Sequence, residues 1–344
     1  MDHRAALQWE PPPDWITLAV IDAHTGGEPF RVVIEGLPHI PGDTVLERRR
    51  HATHHLDHLR RASMWEPRGH ADMYGGWIGS PVSADADLSV LFTHNDGFST
   101  MCGHGIIALA KVVLETGIIP ARTPETVLAI DTPAGLIQST SRFEDGRVTS
   151  TRFSNVPSFA ADLDSVVEVP GLGQVRYDLA FGGAFYALIE AGDVGVGLDD
   201  VRALVDTGRV IKDVISSSRE VTHPDSPELG FLYGVIFTGE AVDPGSHSRN
   251  VCVFADGELD RSPTGTGLSA RLAVMHERGE IGVGEWIRIE SIVGSRFSGR
   301  VLETTRVGVQ GAVIPEVEGS AHITGRAELW IDPADDLGSG FLIR

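Results

Sequence analysis

Two short glycine motifs hold the residues best placed to do chemistry. One is Met101-Cys102-Gly103-His104-Gly105 and the other is Pro263-Thr264-Gly265-Thr266-Gly267. An apolar run follows each: Ile106, Ile107, Leu109, Ala110, Val113 and Leu114 after the first, then Leu268, Ala270, Leu272, Ala273 and Met275 after the second. Runs apolar nearly all round that close on Gly117 and Gly279 predict two buried helices. The first N–H groups of such helices lack partners, the helix dipole adds partial positive charge there, and glycine lets a ligand approach the backbone. Two such ends facing one another across a cleft would clamp a small carboxylate. Cys102 at the first end is the candidate base. That setting lowers a thiol pKa from about 8.5 toward about 3.5–7.5, and a thiolate in a dry cleft can take a proton from a weakly acidic C–H. Amides bound to the carboxylate would stabilise the charge that develops.

The elements that must position these motifs occur twice. Thr264 follows Cys102 by 264 minus 102, or 162 residues. Downstream, Ile130-Asp131-Thr132-Pro133-Ala134-Gly135 resembles Ile289-Glu290-Ser291-Ile292-Val293-Gly294, an offset of 289 minus 130, or 159. Upstream, the Gly26-Gly27 and Gly182-Gly183 pairs sit in similar segments, 182 minus 26, or 156, apart. Three pairs in one order at nearly constant offset describe two homologous halves. Strand-like runs open each half: Ile16–Ile21, Phe30–Ile34 and Leu88–Thr93, then Gln174–Ala180, Phe185–Ile189 and Tyr233–Phe237. The expected fold is α/β (α+β), with two pseudo-symmetric halves, each a mixed sheet wrapped around a central helix, and the site in the cleft between them. The halves are expected at 15–146, joined by C-terminal strands at about 320–344, and at 147–319. An amphipathic helix is predicted over Asp199–Ser217, and residues before Asp14 are expected to form a loose tail.

Composition narrows the function classes. The 344 residues carry 28 basic and 48 acidic side chains, a net charge of −20. A general basic surface for nucleic acid is therefore excluded, and anionic membranes would repel the chain. No apolar run reaches the roughly 20 residues of a membrane span. Two cysteines make no disulfide framework and fit a reducing, cytoplasmic setting. Pyridoxal phosphate chemistry would need a Schiff-base lysine, and the two lysines, Lys111 and Lys212, fall within predicted helices without a phosphate-binding signature. Gly103-His104-Gly105 is too short for a nucleotide fingerprint.

The motifs, together with Asp22-Ala23-His24-Thr25-Gly26-Gly27-Glu28-Pro29, Glu66-Pro67-Arg68-Gly69-His70-Ala71-Asp72-Met73-Tyr74-Gly75 and Asp260-Arg261-Ser262, closely resemble the signatures of the proline racemase superfamily. The resemblance runs in order from about Asp22 to Ser269. It implies the diaminopimelate epimerase-like fold and no cofactor or metal. Racemases and epimerases of that superfamily carry a cysteine in both signatures, whereas this chain has Thr264 at the second. A threonine hydroxyl is too weak an acid to exchange protons quickly at neutral pH, so the two-base reaction is in question. The Cys/Thr combination resembles the trans-3-hydroxy-L-proline dehydratases, which form Δ1-pyrroline-2-carboxylate. By that resemblance Cys102 is the base, and Thr264 faces it and holds either the leaving hydroxyl or a water. Backbone N–H groups of Gly103 with His104 and of Gly265 with Thr266 bind the carboxylate. Asp260 holds the ring ammonium, with the His104 side chain as a second contact. The expected partner is a small imino acid, with a homodimer allowed. Two other readings stand beside it: a proline racemase or hydroxyproline 2-epimerase, and a non-catalytic amino-acid-binding protein on the same scaffold.

Other chemically suggestive residues have plainer readings. Cys252 sits in a strand-like run and reads as core. His51, His54, His55 and His58 resemble a metal cluster, with His54 and His58 four apart, but read better as a solvated helix face. His24 and His70 lie in the motifs without an assigned chemistry, and His223 is a pocket candidate.

Overall fold

The structure is a computed structural model that describes residues 3–343. The first half runs through β1 (Ile16–Thr25), β2 (Glu28–Glu35), α1 (Val45–His55), α2 (Asp57–Met64), β3 (Tyr74–Gly79), β4 (Leu88–His94), β5 (Phe98–Ser99), α3 (Gly103–Glu115), β6 (Glu125–Thr132), β7 (Gly135–Glu144) and β8 (Arg147–Ser154). The second runs through β9 (Phe159–Val169), β10 (Gly173–Phe181), β11 (Phe185–Glu190), α4 (Val201–Ser218), β12 (Leu232–Gly239), β13 (Ser248–Phe254), β14 (Glu258–Leu259), α5 (Gly265–Glu277), β15 (Ile287–Glu290), β16 (Arg296–Val307) and β17 (Gln310–Gly319). The last strand, β18 (Ala321–Ile331), returns to pair antiparallel with β1, from Ile16 opposite Ile331 to Thr25 opposite Ala321.

The pairings make the repeat explicit. From β18 the strands run β1, β2, β3, β4, β6, β7, β8, and from β9 they run β10, β11, β12, β13, β15, β16, β17. Parallel pairs fall at matching places: β2 with β3 and β4 with β6, against β11 with β12 and β13 with β15. The expected boundary at 146 and 147 falls in the turn between β7 and β8. Because β8 pairs with both β7 and β17, the sheet continues across the join. One hydrophobic core extends through both halves, and a smaller one lies beneath α1.

Each half wraps its strands around one helix. β1, β2, β8 and β18 pack against α3, and β9, β10, β16 and β17 pack against α5. Every residue of α3 from Gly103 to Leu114 is buried, including Lys111, whose Nζ reaches Glu115 Oε1 at 2.7 Å and the Val148 carbonyl at 2.8 Å. The paired acids repeat a task as well as a position. Asp131 accepts the backbone N–H groups of Val82 and Ser83, and Glu290 accepts those of Val242 and Asp243. α4 is capped by Asp200, which accepts the Ala203 N–H.

Two local expectations are corrected. The tail is not loose throughout: Met1 and Asp2 lie outside the described residues, but His3–Gln8 forms a 3-10 turn, and the Trp9 ring packs edge-on against Trp15 and Trp330. An indole covers enough apolar area to hold such a segment. His54 and His58 do not share a helix, since α1 ends at His55 and α2 begins at Asp57.

The motif glycines explain how closely the halves meet. A Cβ on Gly103 would stand 2.6 Å from Gly265 Cα, so the N-termini of α3 and α5 approach backbone to backbone. The second glycines make room sideways. A Cβ on Gly105 would fall 2.5 Å from the Phe30 ring and 2.8 Å from Cys102 Sγ, and one on Gly267 would fall 2.2 Å from Ile236 Cδ1. These glycines serve protein packing, beyond the ligand approach expected of them. Gly103→Ala should therefore force the helix ends apart and cost about 1–3 kcal/mol, as overpacking does. Gly97→Ala, where nothing lies within 4 Å, should stay within about 0.5 kcal/mol of the parent in the same thermal denaturation series.

Candidate active site

The two glycine motifs meet at one small cavity of about 20 Å³. Cys102, Gly103, His104, Asp260, Thr264, Gly265 and Thr266 all line it, so the seven residues that the resemblance assigned to the site arrive at one place. The free volume is close to that of a single water site, tighter than an imino acid needs.

Cys102 is the N-cap of α3, with extended backbone (φ −146°, ψ 108°), and its Sγ accepts the Gly105 N–H at 3.1 Å. His104 stands beside it, Nδ1 at 3.3 Å from Sγ. The expectation of a lowered thiol pKa does not hold for this closed cleft. Burial pushes the Cys102 thiol well up. The Gly105 N–H opposes that, the Asp260 and Glu28 carboxylates add to it, and hydrogen bonding from the Tyr74 side chain opposes it again. Removing water from around the sulfur outweighs the helix end. Burial likewise lowers His104 to about 3, so its ring is neutral, against a smaller opposing effect from a hydrogen bond to the Pro29 backbone.

Thr264 occupies the matching N-cap of α5 with a different backbone, φ 63° and ψ 93°. Positive φ at a β-branched residue is strained, at a cost of roughly 1–3 kcal/mol. A ring of hydrogen bonds holds it there. Thr264 Oγ1 donates to Asp260 Oδ2 at 2.8 Å, Ser262 N donates to Asp260 Oδ1 at 2.7 Å, and Thr264 N donates to Ser262 Oγ at 3.1 Å. Burial raises Asp260 to about 6, against the pull of these donors.

Parts of the remaining motifs fasten the cleft. Glu28, fully buried, accepts the Arg261 N–H at 2.7 Å, and Arg261 also reaches the Asp72 carboxylate at 3.4 Å. Burial pushes the Glu28 carboxyl well up, and Asp260 adds to it. Thr25 Oγ1 donates to the His104 carbonyl at 2.9 Å, and Asp22 holds Arg31 through both carboxylate oxygens. Each Gly-Gly turn packs on the opposite half: a Cβ on Gly26 would meet Ser295 Oγ at 2.8 Å, and one on Gly183 would meet Met101 Cβ at 3.0 Å.

Several lining residues escaped the sequence reading. Tyr74, Tyr186, Tyr233, Phe254 and Cys252 also face the cavity. Tyr186 and Thr266 share a hydroxyl hydrogen bond of 2.7 Å, and Tyr74 is bonded to the hydroxyls of Ser99 and, at 3.2 Å, Tyr233. Tyr74 lay within a quoted motif, which was the available signal. The other four come from strands whose pattern says only that they are buried. Cys252, read as core, is fully buried yet also lines the cavity. The other histidines stand apart from it. His24 packs on His322 across β1 and β18, His70 Nδ1 lies 2.7 Å from the Ala71 carbonyl, and His223 lines a separate groove and accepts the Asp225 and Ser226 N–H groups. Among the described residues one group could hold a metal ion, His94, Asp96 and Glu258, with ligand atoms within 4.8 Å of one another.

Comparison with known proteins now decides the family. The profile described as proline racemase matches residues 20–342. The chain belongs to the proline racemase family. Within that family it is 46% identical over 330 residues to a 3-hydroxyproline 2-epimerase of Burkholderia multivorans, covering 95% of this chain and 98% of the relative. It is equally 46% identical, with the same coverage, to a trans-3-hydroxy-L-proline dehydratase of Azospirillum brasilense. Its fold matches the crystal structure of a hydroxyproline epimerase from Agrobacterium vitis with bound trans-4-hydroxy-L-proline, at a TM-score of 0.92 and 33% identity over 96% of each chain. The expected fold class, two α/β halves with the cleft between them, therefore holds. Among the described residues no helix is long and apolar enough to cross a membrane.

The neutral His104 gives a stability test. Its folded-state value of about 3 lies below the ordinary 6.5, so the unfolded chain takes up a proton first as pH falls. Stability linked to this group is present above pH 6.5 and is lost below it, by about 2 kcal/mol between pH 7.5 and pH 5. Denaturant unfolding of His104→Gln should show a pH 7.5 to pH 5 loss smaller than that of the parent by about that amount.

Proposed function

We propose that this member of the proline racemase family is a trans-3-hydroxy-L-proline dehydratase, a hydro-lyase that releases Δ1-pyrroline-2-carboxylate. The observation that carries this reading is the unequal pair of N-caps: a thiol at Cys102 on one side of the cavity and, on the other, Thr264, whose hydroxyl proton is committed to Asp260. One base suffices for an elimination, whereas inverting Cα needs a proton returned from the opposite face. The dehydratase relatives at 46% identity support the same reading.

In this reading the substrate carboxylate lies between the helix ends, on the N–H groups of Gly103, His104, Gly265 and Thr266. Asp260 holds the ring ammonium, and the cation draws its carboxyl back to the ionised form. Cys102 becomes a thiolate while the open cleft admits water and the helix end dominates. Closure then brings sulfur against Cα and excludes water from the developing carbanion. Loss of the C3 hydroxyl leaves an enamine that tautomerises to the pyrroline. Both cysteines are free thiols, which fits the proposed cytoplasmic setting.

The second reading, a 3-hydroxyproline 2-epimerase, has two observations in its favour: the epimerase relative at 46% identity, and Cys252, which supplies a thiol at the cavity. Incubation with trans-3-hydroxy-L-proline, L-proline and trans-4-hydroxy-L-proline in deuterated water separates the readings. The dehydratase gives pyrroline carboxylate from the 3-hydroxy compound alone. An epimerase gives α-deuterated epimer without pyrroline, and a binding protein never exchanges the α-proton. Cys102→Ser should lower turnover at least ~100-fold while binding of pyrrole-2-carboxylate persists, since backbone amides hold the carboxylate. Asp260 must be ionised to take the ammonium, so kcat/KM should fall about tenfold per pH unit below about pH 6.

A further inference from the structure

The stereochemistry of this substrate, taken with the cavity walls, assigns the acid that the elimination needs; the argument rests on the dehydratase reading. In trans-3-hydroxy-L-proline the C3 hydroxyl and the carboxylate lie on opposite faces of the ring. The α-hydrogen is also opposite the carboxylate, so the α-hydrogen and the leaving hydroxyl share one face. Cys102, as the base for that hydrogen, stands on the same face. Thr264 stands across the cavity, and its proton already goes to Asp260. The group that protonates the departing hydroxyl therefore belongs to the Cys102 side.

Two polar side chains of the first half accompany Cys102 at the cavity, His104 and Tyr74. A neutral imidazole carries one N–H, and both ring nitrogens of His104 lie against Cys102 Sγ, Nδ1 at 3.3 Å and Nε2 at 3.6 Å, so its one proton faces the sulfur. Tyr74 differs. Its side chain lines the cavity beside Cys102, its ring packs edge-on to His104 at 4.8 Å, and its hydroxyl joins those of Ser99 and Tyr233. Burial keeps the phenol protonated until a stronger base forms beside it.

We propose that Tyr74 is the catalytic acid, giving its O–H proton to the departing C3 hydroxyl, and that Cys102 then restores it. The bonds balance. The Cα–H bond breaks and S–H forms. The carbanion pair becomes the C2–C3 double bond as C3–O breaks, and the oxygen leaves as water with the Tyr74 proton. The phenolate then takes the proton from the Cys102 thiol, which returns both residues to their starting state. Thr264 needs no part in leaving-group departure.

The test is Tyr74→Phe with trans-3-hydroxy-L-proline in deuterated water, followed by NMR. Pyrroline formation should fall at least ~100-fold, the usual contribution of a general acid, while the Cα hydrogen of unreacted substrate still exchanges for deuterium. Dehydration within about threefold of the parent would overturn the assignment. So would loss of exchange and dehydration together in a folded variant, which would make Tyr74 a support for the thiolate. A second measurement uses the parent protein with cis-3-hydroxy-L-proline, whose hydroxyl faces Thr264. Exchange without water loss is expected, and dehydration of both isomers at similar rates would overturn the shared-face argument. If the parent protein forms no pyrroline from the trans isomer, the dehydratase reading itself falls, an outcome distinct from a Tyr74→Phe variant that still dehydrates.

Discussion

Two helix N-termini meet head to head at Gly103 and Gly265, with no side chain between them. Helix dipoles do not favour this arrangement, since partial positive charge faces partial positive charge. A bound carboxylate turns that repulsion into a doubly favourable site. Much of the chain follows from holding the two ends in place. Each half needs a sheet curved around a helix, each helix must be buried on all sides, and each Gly-Gly turn must reach across to the other half. The acidic surface does not matter at this point, because backbone amides rather than side chains supply the positive potential.

Burial then sets the protonation states around that anchor. Glu28 and Asp260 are buried carboxylates held above their ordinary range, His104 is held neutral, and the Cys102 thiol is pushed up. These shifts come from burial, because desolvation penalises every charge in the cleft. A zwitterionic imino acid brings both signs with it: an ammonium for Asp260 and a carboxylate for the helix ends. The closed site is thus built around charges that the ligand supplies.

The duplication is close in backbone and unequal in chemistry. Cys102 caps α3 with ordinary extended geometry and accepts an N–H, whereas Thr264 caps α5 with positive φ and gives its hydroxyl proton to Asp260. Symmetry of the scaffold places the two residues on opposite walls, and the asymmetry of their hydrogen bonds makes one wall reactive. Tyr74 on the Cys102 side and Cys252 beside Thr264 extend that difference.

Much of the site was legible in the sequence by itself. The motifs at Cys102 and Thr264, the offset repeats and the two apolar helical runs determined the α/β halves, the central helices and the meeting of the signature residues, because glycine spacing and hydrophobic periodicity are local properties. Tertiary structure alone decided the rest. Tyr186, Tyr233, Phe254 and Cys252 sit in strands whose burial pattern is the same whether a side chain faces core or cavity. The thiol shift also reversed its expected direction, because the helix end is a local feature whereas desolvation depends on the whole closed cleft. That Thr264 gives its proton to Asp260 was likewise not in the motif spelling, since it depends on a positive φ that places the hydroxyl over the carboxylate.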